Sequence, residues 1–447
     1  MTVSRGLYTI VNVHHDASTW QDLTQANANY TAIEQQFYQL WYQIGTKLGC
    51  KSQLLAFEPI NEPTGSTQQH FDELNKLNAL FVKAIDDAGG FNKDRVVTLV
   101  GPGEDSVKTS TSFVAPANIS NPWAIQFHYY SPCKSIPSQK ICSSLTITDD
   151  FIFGAWGKTI WGSAADKAAL EADFAEIRNN FTNIPLVIGE WSASQTVPSD
   201  ATPRWKYVDF LIQTARKYDI GTFVWDNGDD MLNRATNVWR DQVAEDILIS
   251  GSKGTANTLP DSQEDGNALT QFSYAYLYHK AGTPVVDQSN SYLLNGNTIK
   301  DLKGPTGATL KKGTDYTISG ANITFKASLL SKYTSATTTP GSKANFTITF
   351  SKGASVTANL VQWDTSVLAS NSSSASAAAA SGGDLHIPVT YKGINRVAAV
   401  KATLPDGTCL FDTWTVYLPA IQQCRSVSCF ASCHEVSGLE DLNWNPG

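Results

Sequence analysis

No run of apolar residues in this chain approaches the roughly 20 that a membrane-spanning helix needs. The short segment after Met1 also lacks the length and cleavage pattern of a signal peptide. Neither a membrane partner nor a leader is expected from these residues. Positive charge is scarce: 33 Lys and Arg face 41 Asp and Glu, and the formal net charge of -8 argues against nucleic acid. Only 17% of the 447 residues are charged, while 42% are hydrophobic and 11% aromatic, a composition that folds. Cysteine is sparse and odd in number, at 7, and only Cys133 and Cys142, close together in a Pro- and Ser-rich loop, suggest a local disulfide. The tail segment CRSVSCFASCH has poor spacing for zinc.

At this length a large core and two domains are expected. Residues 1–282 alternate short apolar runs with helical stretches, the pattern of repeated βα units around a parallel sheet. The strand candidates are YTIVNVHHD (8–16), LLAFEPINE (54–62), VVTLVGPG (96–103), AIQFHYYS (124–131), PLVIGEWS (185–192) and GTFVWDNG (221–228). Each starts apolar and ends polar or glycine-rich. In a (β/α)8 TIM barrel the carboxyl ends of the strands meet at one active-site mouth, so these six give one ring of polar ends. HFDELNKLNALFVKAIDDAG (70–89) reads as a scaffold helix, and SYAYLYHKAGTP (273–284) as the end of a last helix, which sets the domain boundary near 283. Residues 283–423 change to short alternating segments such as YTISG, NITFKA, NFTITFS and SVTANLVQW, the pattern of an all-β immunoglobulin-like sandwich. The run SNSSSASAAAASGG (370–383) is expected to be a loop of that module, and 424–447 an irregular tail.

Two glutamates stand out among the polar strand ends. Hydrolysis of a glycosidic bond needs one carboxylic acid and one carboxylate flanking it, and Glu62 and Glu190 are the obvious pair; a separation of roughly 5–5.5 Å between them implies retention of anomeric configuration. The competing reading is a pair of inward salt bridges. Asn61, His128, Tyr130 and Trp225 complete the ring, and His128 and Tyr130 can donate hydrogen bonds towards Glu190. A flat indole such as Trp225 offers apolar surface to the C–H faces of a pyranose. Glu58 shares strand parity with Glu62 one layer deeper and reads as structural. Trp20, Trp156 and Trp161 suit either outer sugar subsites or local packing.

The motifs VNVHHD, FEPINEP, QFHYY, IGEW and FVWDNG, at barrel-unit spacing over residues 5–282, resemble glycoside hydrolase family 5, the group containing many endo-β-1,4-glucanases. The resemblance implies that Glu62 is the general acid/base and Glu190 the nucleophile. It also implies that Asn61 holds the sugar 2-hydroxyl, that His14, His128 and Tyr130 surround the carboxylates, and that Trp225 is the aromatic platform; of His14 and the adjacent His15 it favours His14. No cofactor is required by that chemistry. VDQSNSYLLNGNTIKDL, GTDYTISGANITFKASLLSKY and ANFTITFSKG resemble the immunoglobulin-like X-type module attached to many cellulases, implicated in carbohydrate or cell-wall binding.

The chain departs from the family pattern in showing six strands rather than eight. The first two βα units, which in the family carry an arginine supporting the nucleophile, are expected to be missing through N-terminal truncation, leaving sheet edges that predict poor solubility. The expected function is retaining hydrolysis of a polysaccharide substrate, β-1,4-glucan, by a monomer. The alternatives are a catalytically inactive carbohydrate-binding or wall-associated protein, or the same chemistry on another β-glucan or a mannan. Glycosylation sequons at Asn29, Asn118, Asn180, Asn322, Asn345 and Asn371 point to an extracellular location.

Overall fold

A computed structural model of the chain describes residues 3–130, 135–136, 139–140, 164–193, 201–226, 228, 231–261, 274–368 and 389–393. The suggested Cys133–Cys142 pair, Trp156, Trp161, the run at 370–383 and the cysteine-bearing tail lie outside them. The chain divides into two compact units. The first comprises Met1–Thr148, Lys167–Ser192 and Thr214–Asp226; the second comprises Asp149–Asp166, Ala193–Gln213 and Asn227–Gly447.

Six parallel strands, neighbours in chain order, form the sheet of the first unit: β1 (Thr9–Val11), β2 (Leu55–Phe57), β3 (Val97–Asp105), β4 (Trp123–His128), β5 (Leu186–Trp191) and β6 (Ile220–Val224). The sheet curls into a half-barrel. All six strand candidates are therefore strands. The first is shorter than its nine-residue candidate, although backbone bonds from Glu58 to Val11 (3.0 Å) and from Asn61 to Val13 (3.2 Å) carry the chain on beside it.

Helices α1 (Tyr30–Leu48) and α2 (Gln68–Ala88) show how side-chain spacing builds the scaffold. Asn29 caps α1 by accepting from the Ala32 N–H, and Ile33, Phe37, Trp41 and Gly45 fall four apart on its buried face. In α2, Thr67 and His70 form a capping box, Leu74, Leu77, Phe81 and Ile85 are buried, and Gly89 ends the helix at φ 71°. Trp41 is fully buried between Phe57 of β2 and Phe81 of α2, at ring distances of 5.6 and 4.6 Å, and its indole N–H donates to the Pro59 carbonyl at 3.1 Å. That bond fixes the chain three residues before Glu62. Buried Arg95 donates to the carbonyls of Ser52, Leu55, Leu48 and Lys51, satisfying the turn that leads from α1 into β2. Short α3 (Ser106–Ser112), α4 (Ala164–Asn180) and α5 (Thr202–Lys217) follow β3, β4 and β5 in the chain.

The second unit holds α6 (Gln242–Ser252) and two four-stranded sheets. One orders β7 (Leu259–Pro260), β9 (Gln288–Leu293), β12 (Asn322–Phe325) and β11 (Tyr316–Ser319); the other orders β8 (Tyr276–Lys280), β14 (Val356–Trp363), β13 (Gly341–Phe350) and β10 (Ile299–Lys303). All pairs are antiparallel except β8 with β14. Phe325 meets Phe346 at 5.4 Å and Tyr292 meets Phe350 at 6.0 Å, closing one sheet on the other. Residues Tyr276–Lys280 correct the expectation of a terminal helix there. Leu277 and His279 are buried while Tyr276, Tyr278 and Lys280 are not, which is the period of two of a strand. The sandwich thus recruits residues that precede position 283.

Candidate active site

The carboxyl ends of β3, β4 and β5 are irregular at matching heights. Pairing slips between Val100 and Asp105 on β3, between Phe127 and His128 on β4, and between Ile188 and Trp191 on β5. Such slips turn side chains away from the regular pleat. Here they bring His128 opposite both Asp105 and Glu190. Two non-glycine residues at these ends, Glu62 (φ 44°) and Glu104 (φ 47°), adopt the left-handed region, at a cost of order 1–3 kcal/mol each. Gly189 of the IGEW motif has a local reason of its own, because a Cβ there would strike the Gln126 amide.

His128 is the hub of the site. Its Nδ1 lies 2.8 Å from Oε1 of Glu62 and 3.7 Å from Oε2 of Glu190, and its Nε2 lies 3.1 Å from Oε2 of Glu104. One carboxylate oxygen from each of Glu62 and Glu190 and a ring nitrogen of His128 all fall within 4.8 Å of one another. The Tyr130 hydroxyl donates to Oε2 of Glu190 at 2.9 Å. The expectation that both Tyr130 and His128 donate towards Glu190 is thereby corrected: Tyr130 does, while Nδ1 of His128 lies nearer to Glu62, at 2.8 Å, than to Glu190, at 3.7 Å.

Beneath this pair lies a buried polar layer. Asn12 donates to Glu58 at 2.8 Å, Thr98 approaches the same carboxyl at 3.4 Å, and the Gln126 amide bridges Glu58 and Glu104. Glu104 also accepts the Glu62 backbone N–H at 2.8 Å, and the Gly103 N–H donates to the Pro63 carbonyl at 2.7 Å, clamping the end of β3 to the turn that carries Glu62. Desolvation raises the Glu58 carboxyl above its ordinary range against the hydrogen bonds it accepts. It raises Glu104 further, with His128 opposing. Burial alone would lower His128, yet Glu104, Glu62 and Glu190 together push it up to about 9.

The remaining candidates sit further out. Asn61 is buried beside Glu62, and its Oδ1 takes no hydrogen bond among the described residues. His14 is exposed and, among the described residues, joins the cluster through Asn12, at 3.3 Å; His15 packs edge-on against it at 4.8 Å. Trp225 is half-buried just after β6, its backbone N–H held by the Trp191 carbonyl at 2.9 Å. The Trp20 indole N–H donates to Asp16, four residues away, a local bond. Glu58, expected one layer deeper than Glu62, is buried and hydrogen-bonded to Asn12 and Gln126.

Asn12, Gln126 and Glu104 were missed from the sequence. Gln126 shares parity with His128 and Tyr130 within an otherwise apolar run, and Glu104 directly follows the strand candidate that ended at Gly103; both signals were legible. The donor set of Glu62, His128 and Glu190 is of a kind that accepts a divalent cation. Both ring nitrogens of His128 also have carboxylate partners, Glu62 on Nδ1 and Glu104 on Nε2.

Comparison with known proteins places the chain in a family. The profile of the cellulase family, glycosyl hydrolase family 5, matches residues 1–231, and that of carbohydrate-binding domain X2 matches residues 271–360. Endoglucanase B of Paenibacillus lautus is 27% identical over 421 residues, covering 90% of this chain and 66% of its own length. Endoglucanase A of Clostridium longisporum is 27% identical over 289 residues, covering 60% and 51%. The chain thus spans 51–66% of the length of these two relatives. Among solved structures, a tri-modular subfamily 4 endo-β-1,4-glucanase of the same family from Bacillus licheniformis, complexed with cellotetraose, superimposes with a TM-score of 0.72 at 29% identity, over 88% of this chain and 69% of that one.

Proposed function

Because the chain belongs to glycosyl hydrolase family 5, the cellulase family, we propose that it cleaves the β-1,4 bonds of a glucan by double displacement, with Glu62 as acid/base and Glu190 as nucleophile. The observation that carries the reading is the approach of the two carboxylates to within 4.8 Å on one side of His128. An approach of this order suits the roughly 5–5.5 Å between the carboxyls of a retaining pair better than the roughly 6.5–9.5 Å of an inverting one.

In the first step Glu190 attacks the anomeric carbon while Glu62 protonates the departing oxygen. Tyr130 holds the Glu190 oxygen it donates to, leaving the other free to attack. In the second step Glu62 takes a proton from water, which releases the sugar from Glu190 with its configuration retained. The open acceptor of Asn61 suits the sugar 2-hydroxyl, and the half-buried indole of Trp225 suits a pyranose face. The names of the three relatives given above, each an endoglucanase, support a β-glucan as substrate.

The test is proton NMR of the first products from a soluble β-1,4-glucan. Retained β-anomers are expected, with activity lost in Glu190→Ala and reduced roughly 10²–10⁴-fold in Glu62→Gln. Inverted product, or full activity in Glu190→Ala, would sink the assignment. A polymeric substrate also implies secretion, and the exposure of Asn29, Asn118, Asn180, Asn322 and Asn345 supports it; recovery of the chain with N-glycans from culture medium checks this.

A further inference from the structure

Glu104 is a carboxylate that double displacement does not use. None of its side chain is exposed, and it sits in the left-handed region near the end of β3. Its Oε2 meets the backbone N–H of Glu62 at 2.8 Å and Nε2 of His128 at 3.1 Å, while Oε1 faces the Gln126 amide at 3.4 Å. On the far side of the ring, Nδ1 lies 2.8 Å from Oε1 of Glu62. Glu104, His128 and Glu62 thus form one continuous line of carboxylate, imidazole and carboxyl.

We propose that Glu104 is a positioning residue that keeps a proton on Nε2 of His128, so that Nδ1 of His128 and Oε1 of Glu62 share the single proton Glu62 delivers to the leaving oxygen. This rests on the reading of Glu62 as acid/base. A neutral imidazole has one donor and one acceptor nitrogen, and the partner of one nitrogen decides the role of the other. With Nε2–H held by Glu104, a neutral ring accepts from a protonated Glu62, the acid form. Passing that proton across the 2.8 Å contact to Nδ1 gives an imidazolium beside a Glu62 carboxylate, the base form. The balance closes over one turnover: the pair gives a proton to the departing oxygen in the first step and regains one from water in the second.

The charged and titratable groups facing the ring are Glu58 and Glu62 from the β2 segment, Glu104 from β3, Glu190 from β5, and Tyr130 beyond its own strand. Four carboxyls surround one imidazole, which favours retention of its proton and explains why His128 rises despite burial. A purely structural role for Glu104 would need only its bond to the Glu62 backbone. A glutamine fills that role equally well, and this separates the two explanations.

The experiment is nitrogen-15 NMR of the histidine-labelled full chain together with kinetics on a soluble β-glucan. In the wild type at about pH 7, Nε2 of His128 is expected to carry a proton, and the ring to titrate near 9. In Glu104→Gln the titration should fall by roughly one pH unit or more, and the alkaline limb of kcat/KM should fall with it. Its kcat should drop about tenfold with KM unchanged, and Glu104→Asp should restore part of the alkaline limb. A wild-type His128 without a proton on Nε2 overturns the proposal, as does a Glu104→Gln variant whose His128 titration and alkaline limb match the wild type. If Glu104→Gln does not fold, the wild-type Nε2 signal decides alone. If the wild-type chain leaves glucan uncut, the hydrolase reading fails while the NMR comparison still decides the role of Glu104.

Discussion

His128 couples the chemistry of the site to the stability of the chain. Its value in the folded chain, about 9, lies above the ordinary 6.5. A raised value contributes stability that is fully present below 6.5 and is lost as pH climbs through 9. Burial also raises Glu58 and Glu104, and their contributions have the same sign but begin to be lost from the ordinary carboxyl value near 4.5 upwards. The urea midpoint is therefore expected to fall between about pH 6 and pH 9.5, and His128→Asn to flatten that fall. A midpoint that stays constant or rises over this interval would contradict the arrangement. Glu62, Glu190, His128 and Tyr130 were legible in the sequence because they stand at or just beyond the polar ends of apolar strand runs. The exchange of partners, with His128 on Glu62 rather than Glu190, was not legible, since it depends on a positive φ at Glu62 and on register slips that strand parity does not encode.

At the scale of elements, the position of Glu62 depends on a helix that never touches it. Trp41 of α1 packs against Phe57 and Phe81 and donates to the Pro59 carbonyl, so one side chain joins α1, β2 and α2 to the segment before the acid. Trp41→Ala is expected to destabilise the chain by about 3–5 kcal/mol through the cavity it leaves, with the stranded carbonyl adding to that. Chemical denaturation measures the loss, and a change under about 1 kcal/mol would show that the site collapses without cost. The helices and six strands were readable from apolar spacing and from glycine stops. Tyr276–Lys280 was misread because glycine and proline after an apolar run suit a helix end and a strand end equally; the alternation that decides between them spans only five residues.

Across the whole molecule, the sheet of the first unit has two outer strands, β1 and β6, with no hydrogen-bonded neighbour in that sheet among the described residues. Large apolar side chains accompany them: Leu7 and Tyr8, just before β1, are 55% and 62% exposed, and Phe223 of β6 is 44% exposed. Open strand edges flanked by such side chains invite pairing with another copy, which sets the architecture against the monomer expected from the sequence. The chain as given is therefore expected to self-associate as its concentration rises, and Leu7→Lys with Phe223→Lys to reduce that association, since charge on an edge opposes further pairing. Neither side chain takes part in the hydrogen bonds described around His128, so the distances within the site should be unaffected. Light scattering over a concentration series distinguishes the outcomes: a wild-type chain that stays monomeric throughout would mean these edges are not adhesive, and association unchanged by the double substitution would place the contact elsewhere.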